Sequence, residues 1–199
     1  MTSPEPRPPT VNLPNALTTL RLFLVPVFLW LLLANNGSEA GYRIAAAALF
    51  LFASVTDFVD GALARRKGLV TTFGKIADPI ADKALTGAAL IGLSLLGELP
   101  WWISIVILVR EVGVTLLRFL VLSDAVIPAS RGGKAKTVSQ MAAILLYLLP
   151  LSGWLLTVRD VVMGVAVFLT VATGLDYGAR AIAVRRHAEL RREAFGDQG

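Results

Sequence analysis

The chain has 199 residues, 55% of them hydrophobic and 17% charged, with a mean hydropathy of +0.68 and a formal net charge of +5. That balance excludes an ordinary soluble domain and points to one membrane domain whose solvent is largely hydrocarbon. The lack of cysteine excludes disulfides, thiolate metal ligands and a cysteine nucleophile.

The opening MTSPEPRPPTVNLPN is polar and rich in proline, which suits a short disordered or surface-lying leader over residues 1–11. From Asn12 the segment NLPNALTTLR predicts an interfacial helix that bends into the first apolar span, with Arg21 snorkelling to headgroup phosphates. Six apolar stretches follow, at about 17–34, 42–62, 79–97, 100–122, 138–158 and 160–182. At a rise of 1.5 Å per residue about 20 residues cross a bilayer core, so each stretch is long enough. The predicted fold is all-α: six transmembrane helices in one domain over residues 12–183, followed by a basic tail over 184–199. The run Leu22 to Ala34 lacks the basic region and small-residue cleavage site of a secretory signal, and further spans follow it. Pro26 permits a kink in the first span or a tolerated irregularity of packing.

Loop charge sets the direction. One side receives Arg7, Arg21, Arg65, Arg66, Lys67, Lys75, Arg131, Lys134, Lys136 and the tail arginines 185, 186, 191 and 192; the other receives Arg43 and Arg159, with Glu39, Glu98 and Asp160. By the positive-inside rule the first side is cytoplasmic and holds both termini. Trp30, Trp101, Trp102 and Trp154 all fall near the outer ends of their spans, as an aromatic belt requires. The expected location is a cell membrane, crossed several times.

The second and third spans meet the cytoplasm at DFVDGALARRKGLVTTFGKIADPIADK, residues 57–83. Asp57 and Asp60 are three apart and Asp78 and Asp82 four apart, so each pair lies on one helical face. Four carboxylates aimed at one point repel one another at the edge of a low-dielectric membrane unless cations compensate. With no His or Cys among them, all-oxygen ligation favours hard ions, Mg²⁺ or Mn²⁺, and four carboxylates suit a pair of ions sharing ligands. Hard ions on carboxylates in turn imply a phosphate-bearing substrate. Gly61, Ala64 and Gly74 leave backbone open for a bulky headgroup, or else serve helix packing. Arg65, one turn beyond Gly61, is placed to hold a diphosphate oxygen bidentately, whereas Arg66 and Lys67 fit positive-inside anchors.

In the fourth span, VILVREVGVTLLRFLVL carries Arg110, Glu111 and Arg118, which are costly in lipid and should face protein or water. Two readings stand side by side. Arg110 and Glu111 form an internal ion pair that specifies packing, or Arg110 and Arg118 join Arg131, Lys134 and Lys136 of RGGKAKT in a cationic pocket for a second, anionic substrate. His187 reads as a solvated tail residue, Asp176 as a helix-end interaction or a cavity rim, and Tyr177 as an interfacial anchor or part of the same rim. Pro150 with Gly153 reads as an outer helix end.

The pattern Asp57-x2-Asp60-Gly61-x2-Ala64-Arg65, eight residues, Gly74-x3-Asp78-x3-Asp82 resembles, without departures, the signature of the CDP-alcohol phosphatidyltransferase family. NLPNALTTLR, VREVGVTLLR, GGKAKTVSQ and LDYGAR extend the resemblance over most of the chain, toward the branch that makes phosphatidylglycerol phosphate and its actinobacterial members. The resemblance implies six helices around a cytoplasm-facing polar cavity, usually in a homodimer, with membrane lipids around it. It implies CDP-diacylglycerol as donor and sn-glycerol 3-phosphate as acceptor. Asp57, Asp60, Asp78 and Asp82 resemble the metal ligands, and Asp82 matches the proposed general base. Asp57, Asp60, Asp78, Gly61, Ala64, Arg65 and Gly74 match positions around the CDP headgroup, while Arg110, Arg118, Arg131, Lys134 and Lys136 resemble the acceptor site. Within the family, phosphatidylglycerol, as in cardiolipin synthases, and inositol phosphate are alternative acceptors. A divalent-cation transporter is the rival of another class, disfavoured because the acidic cluster lies at one mouth and no internal repeat is evident. Nucleic-acid binding is disfavoured because topology accounts for the positive charge.

Overall fold

The structure, a computed structural model, describes the backbone of residues 13–67, 72–121 and 131–196, and the side chains of residues 16–56, 80–81, 83–117 and 133–180. The proline-rich leader lies outside the described residues. Six α-helices follow in order: α1 (Leu13–Leu33), α2 (Ala40–Lys67), α3 (Thr72–Leu95), α4 (Trp101–Val121), α5 (Arg131–Leu148) and α6 (Trp154–Gly196), with a 3₁₀ turn at Ala34–Gly37. No strand occurs among the described residues, as the all-α expectation requires. Ala16–Gly37 and Trp154–Arg180 have mean hydropathies of 2.1 and 2.0 and are long enough to cross a membrane; Ala40–Thr56 and Lys83–Leu95 are shorter apolar helices.

Three expectations need correction. The apolar stretches placed the meeting of the fifth and sixth spans at Arg159–Asp160, but the break comes earlier, at Pro150 and Gly153, the pair read from the sequence as an outer helix end. Proline cannot continue the hydrogen-bond ladder and Gly153 takes φ +61, whereas Arg159 and Asp160 pair with each other at 3.2 Å on the side of α6. The segment expected to bend from the interface into the first span forms one continuous helix with it, since α1 runs Leu13–Leu33. Arg21 does not snorkel; it is 3% exposed, because it falls three residues after Thr18 and seven before Phe28 on the buried face of α1.

The helices fall into two compact units. The first comprises α1, α2, α3 and Ile144–Ser152 from the end of α5 and the turn after it; the second comprises α4, the earlier part of α5, and α6. In the first unit α1 packs on both α2 and α3. Phe28 and Leu32 of α1 are fully buried, and Phe28 lies 6.0 Å from Phe50 of α2 between ring centroids. A Cβ on Gly92 of α3 would sit 2.6 Å from Leu32 Cδ2, so glycine is what lets α3 come this close to α1.

The opposite faces invert the pattern of a soluble protein. Leu20, Phe23, Val27 and Trp30 make an exposed apolar stripe along α1, and Val161, Val165, Phe168 and Leu175 do so along α6. Stripes of that length on successive turns suit hydrocarbon as the surrounding solvent. All four tryptophans are exposed, and Trp30 meets Tyr42 edge to face at 5.8 Å.

The turns of the first unit are built around one cation. Asn35 and Asn36 take left-handed conformations that asparagine tolerates, and Gly37 follows at φ +67 against Leu96. At the end of α3, Gly97 (φ +73) donates to Ser94 O and Glu98 N donates to Leu93 O, both at 3.1 Å, which is the Schellman geometry. This presents Glu98 to Arg43. Arg43 forms a bidentate ion pair with Glu98 and also donates to the carbonyls of Leu148, Tyr147 and Gly37. It was counted as an outer loop charge, yet it is 5% exposed and caps the last turn of α5, whose terminal carbonyls have no partner within their own helix.

Candidate active site

Helical phase positions the signature residues. Asp57, Asp60, Gly61, Ala64 and Arg65 all lie on α2, and Gly74, Asp78 and Asp82 all lie on α3, so the three- and four-residue spacings fall on α-helical backbone. Their side chains lie outside the described residues, and so does that of His187. The side chain described just before the signature is Thr56, whose hydroxyl donates back to Phe52 O at 2.7 Å. Thr56 also ends a crevice between α1 and α2 lined by Leu17, Leu24, Phe52 and the buried Arg21.

The cationic residues singled out in the sequence lie in the other unit, where α4 packs against α6. Arg110 can lie along α6 because residue 174 is glycine: a Cβ there would stand 3.0 Å from Arg110 Cγ. From this position Arg110 donates to the hydroxyl of Thr173 at 3.0 Å and pairs with Glu111 Oε1 at 3.1 Å. Lys136 of α5 forms an ion pair with the same carboxylate oxygen. The side chains of Arg110, Glu111 and Lys136 are 16%, 15% and 5% exposed, too buried for a solvated surface network.

The ion pair of the first reading exists, and Lys136 of RGGKAKT joins it. Two cations share one carboxylate, which leaves the trio formally cationic. Arg110 Nε and Gln140 Nε2 are buried with no hydrogen-bond partner. An arrangement with surplus positive charge and unused donors is equipped to take an anion.

Other expected members fall differently. Lys134, two residues before Lys136, is exposed, since a two-residue step turns it away from the buried face of α5. Arg118 lies on α4 and Arg131 at the start of α5, with side chains outside the described residues. Asp176 pairs with Arg180 one turn on at 3.0 Å, with both side chains at least half exposed, so it is a helix-surface pair. Sequence reasoning did not single out Gln140, Thr173 or Gly174. The signal available for Gln140 was its position four residues after Lys136; Thr173 and Gly174 carried none, because nothing local announces which face of α6 meets an arginine of α4.

Residues 11–172 match the CDP-alcohol phosphatidyltransferase family, and the chain belongs to that family. It is 56% identical over 171 residues to a protein of Mycobacterium tuberculosis named "Probable phosphatidylglycerophosphate synthase", covering 86% of this chain and 82% of that one. It is also 41% identical over 179 residues to the CDP-diacylglycerol–glycerol-3-phosphate 3-phosphatidyltransferase of Bacillus subtilis, covering 83% and 93% of the two chains. The protein of the same name from Rickettsia typhi is 42% identical over 174 residues, covering 83% and 94%.

Proposed function

We propose that this chain transfers the phosphatidyl group of CDP-diacylglycerol to sn-glycerol 3-phosphate, giving phosphatidylglycerol phosphate and CMP. One observation carries the choice of acceptor: Arg110 and Lys136 converge on Glu111 with positive charge in excess, which fits a small, strongly anionic alcohol. The names of relatives at 41–56% identity support the same reading. A lipid acceptor, as in cardiolipin synthases, would be better served by a more apolar site.

The donor belongs to the signature. Asp57, Asp60, Asp78 and Asp82 supply only carboxylate oxygens on neighbouring turns of α2 and α3, a donor set that fits a pair of Mg²⁺ or Mn²⁺ ions. Bound there, such ions would polarise the diphosphate and neutralise charge on departing CMP. Arg65 would hold a diphosphate oxygen, and Gly61, Ala64 and Gly74 leave room for the CDP headgroup. Asp82 accepts the proton of the acceptor's 1-hydroxyl as that oxygen bonds to the phosphorus bearing diacylglycerol; the bond from this phosphorus to the bridging oxygen breaks, and CMP leaves with the bridging oxygen. Arg110 and Lys136, with Arg118 and Arg131, would hold the acceptor phosphate.

The reading includes six membrane crossings, both termini in the cytoplasm, a cytoplasm-facing site and a homodimer in the cell membrane. The loop charges support the orientation.

The test is transfer by purified protein in liposomes, with CDP-diacylglycerol and either Mg²⁺ or Mn²⁺, offering glycerol 3-phosphate, phosphatidylglycerol and inositol phosphate in parallel. CMP release coupled to phosphatidylglycerol phosphate, with glycerol 3-phosphate alone, is the expected result. Product with another acceptor overturns the assignment of the cationic cluster, and full turnover after chelation overturns the metal pair. Replacing Asp82 by Asn should lower turnover by about 10²–10⁴-fold while donor binding survives.

A further inference from the structure

Gln140 is a buried polar side chain that the mechanism above leaves unused. It is 4% exposed, and its amide nitrogen is buried with no hydrogen-bond partner. Buried amide donors are nearly always paired, so an unpaired one in a native fold calls for a specific partner supplied from outside the chain. Its address narrows that partner. Gln140 follows Lys136 by four residues on α5, so the two share a helical face, and both are 4% exposed. Lys136 in turn is tied to Glu111 and, through it, to Arg110. A neutral amide thus stands one helical turn from a cationic cluster suited to phosphate.

The chemistry of the acceptor supplies a matching group. Glycerol 3-phosphate carries a phosphate, a primary hydroxyl that reacts, and a secondary hydroxyl that does not. Cations suit the phosphate, whereas an amide N–H suits a neutral oxygen, since it adds a directed hydrogen bond without further charge. We infer that Gln140 Nε2 donates to the 2-hydroxyl of the acceptor and is a specificity-determining residue of this enzyme. The inference rests on the proposed glycerol 3-phosphate reading and extends it from the anion to the polyol. It gives the buried amide its missing partner only when acceptor is bound, and it makes the site poorer for an alkanol phosphate without that hydroxyl, which leaves the donor unsatisfied.

The experiment compares glycerol 3-phosphate with 1,3-propanediol monophosphate, which keeps the phosphate and a primary hydroxyl and lacks the 2-hydroxyl. Wild-type protein, Gln140→Leu and Gln140→Met are assayed with CDP-diacylglycerol in liposomes, with kcat and KM taken for each acceptor and for the donor. The wild type should favour glycerol 3-phosphate in kcat/KM by about 10-fold, the scale of one satisfied hydrogen bond. Both variants should bring that ratio close to one, chiefly through KM for glycerol 3-phosphate, with the donor KM moving less than twofold. A preference that survives in a folded variant overturns the inference, as does an equal loss for both acceptors, which would assign the amide to the phosphate. If both variants fail to fold, a wild type with no preference between the acceptors still overturns it. Failure of wild-type protein to use glycerol 3-phosphate at all would instead overturn the functional reading beneath it.

Discussion

Two clusters in this protein start from the same chemistry, an arginine beside a glutamate in a half-buried setting, and arrive at opposite states. Arg43 engages all five of its N–H donors: two bonds go to Glu98 and one each to the carbonyls of Leu148, Tyr147 and Gly37. Arg110 holds Glu111 and Thr173 but leaves Nε buried and unpaired, and Gln140, one turn beyond Lys136, leaves its amide nitrogen in the same condition. Charge differs as well, because among the described residues Glu98 is matched with one cation and Glu111 with two. A saturated cluster fastens helix ends together and has no donor to offer a ligand. An unsaturated, cationic one keeps donors in reserve, and that reserve is what separates a binding site from a staple.

The comparison can be broken most forcefully at Arg43. Replacing it with Met strands the Glu98 carboxylate and uncaps the end of α5, so stability should fall by about 3–5 kcal/mol, read as a lower Tm in detergent. The KM values of the folded fraction should stay in place, and Arg43→Leu with Glu98→Leu should recover part of the loss.

Lys136→Met should reverse the ranking of effects. If Lys136 holds the acceptor's phosphate as proposed, its loss should raise the acceptor KM by about 10–100-fold, leave the donor KM unmoved, and shift Tm less than Arg43→Met does. An equal fall in Tm with an unchanged acceptor KM would make the two clusters the same kind of object.

Gly174→Ala separates stability from binding within one residue. Alanine favours the helix by about 1 kcal/mol over glycine, yet its Cβ would press on the stem of Arg110. A higher or unchanged Tm together with a several-fold rise in acceptor KM is expected; steady-state kinetics beside a melting curve decides it. The smallest effect belongs to Asp176→Asn. Its pair with Arg180 is an exposed helix-surface contact, worth at most about 0.5 kcal/mol, so neither Tm nor either KM should change measurably.

The helices that carry the signature were legible in advance because helical periodicity is local. Spacings of three and four residues placed Asp57 with Asp60 and Asp78 with Asp82, and α2 and α3 extend through both pairs. Where charge was used as a boundary marker the reading failed, at Arg159–Asp160, because an i,i+1 pair at a helix surface is tolerated where proline is not. Arg21 and Arg43 were misread as loop or interfacial charges for a related reason. Sequence shows that a cation is near a span's end but not which face it occupies, and both turned out to be buried.

By itself, then, the sequence determined what depends on composition and near neighbours: an all-helical, strongly apolar chain, the family signature on two consecutive helices, and the presence of cations in the fourth and fifth helices. Only the tertiary structure decided which charges meet. Glu98 comes to Arg43 through a Schellman turn, and Lys136 comes to Glu111 across 25 residues of chain. Such pairings depend on how helix faces dock. Docking is set by non-local details such as the missing Cβ atoms of Gly92 and Gly174, each of which leaves room for a side chain of a distant helix that a Cβ would crowd.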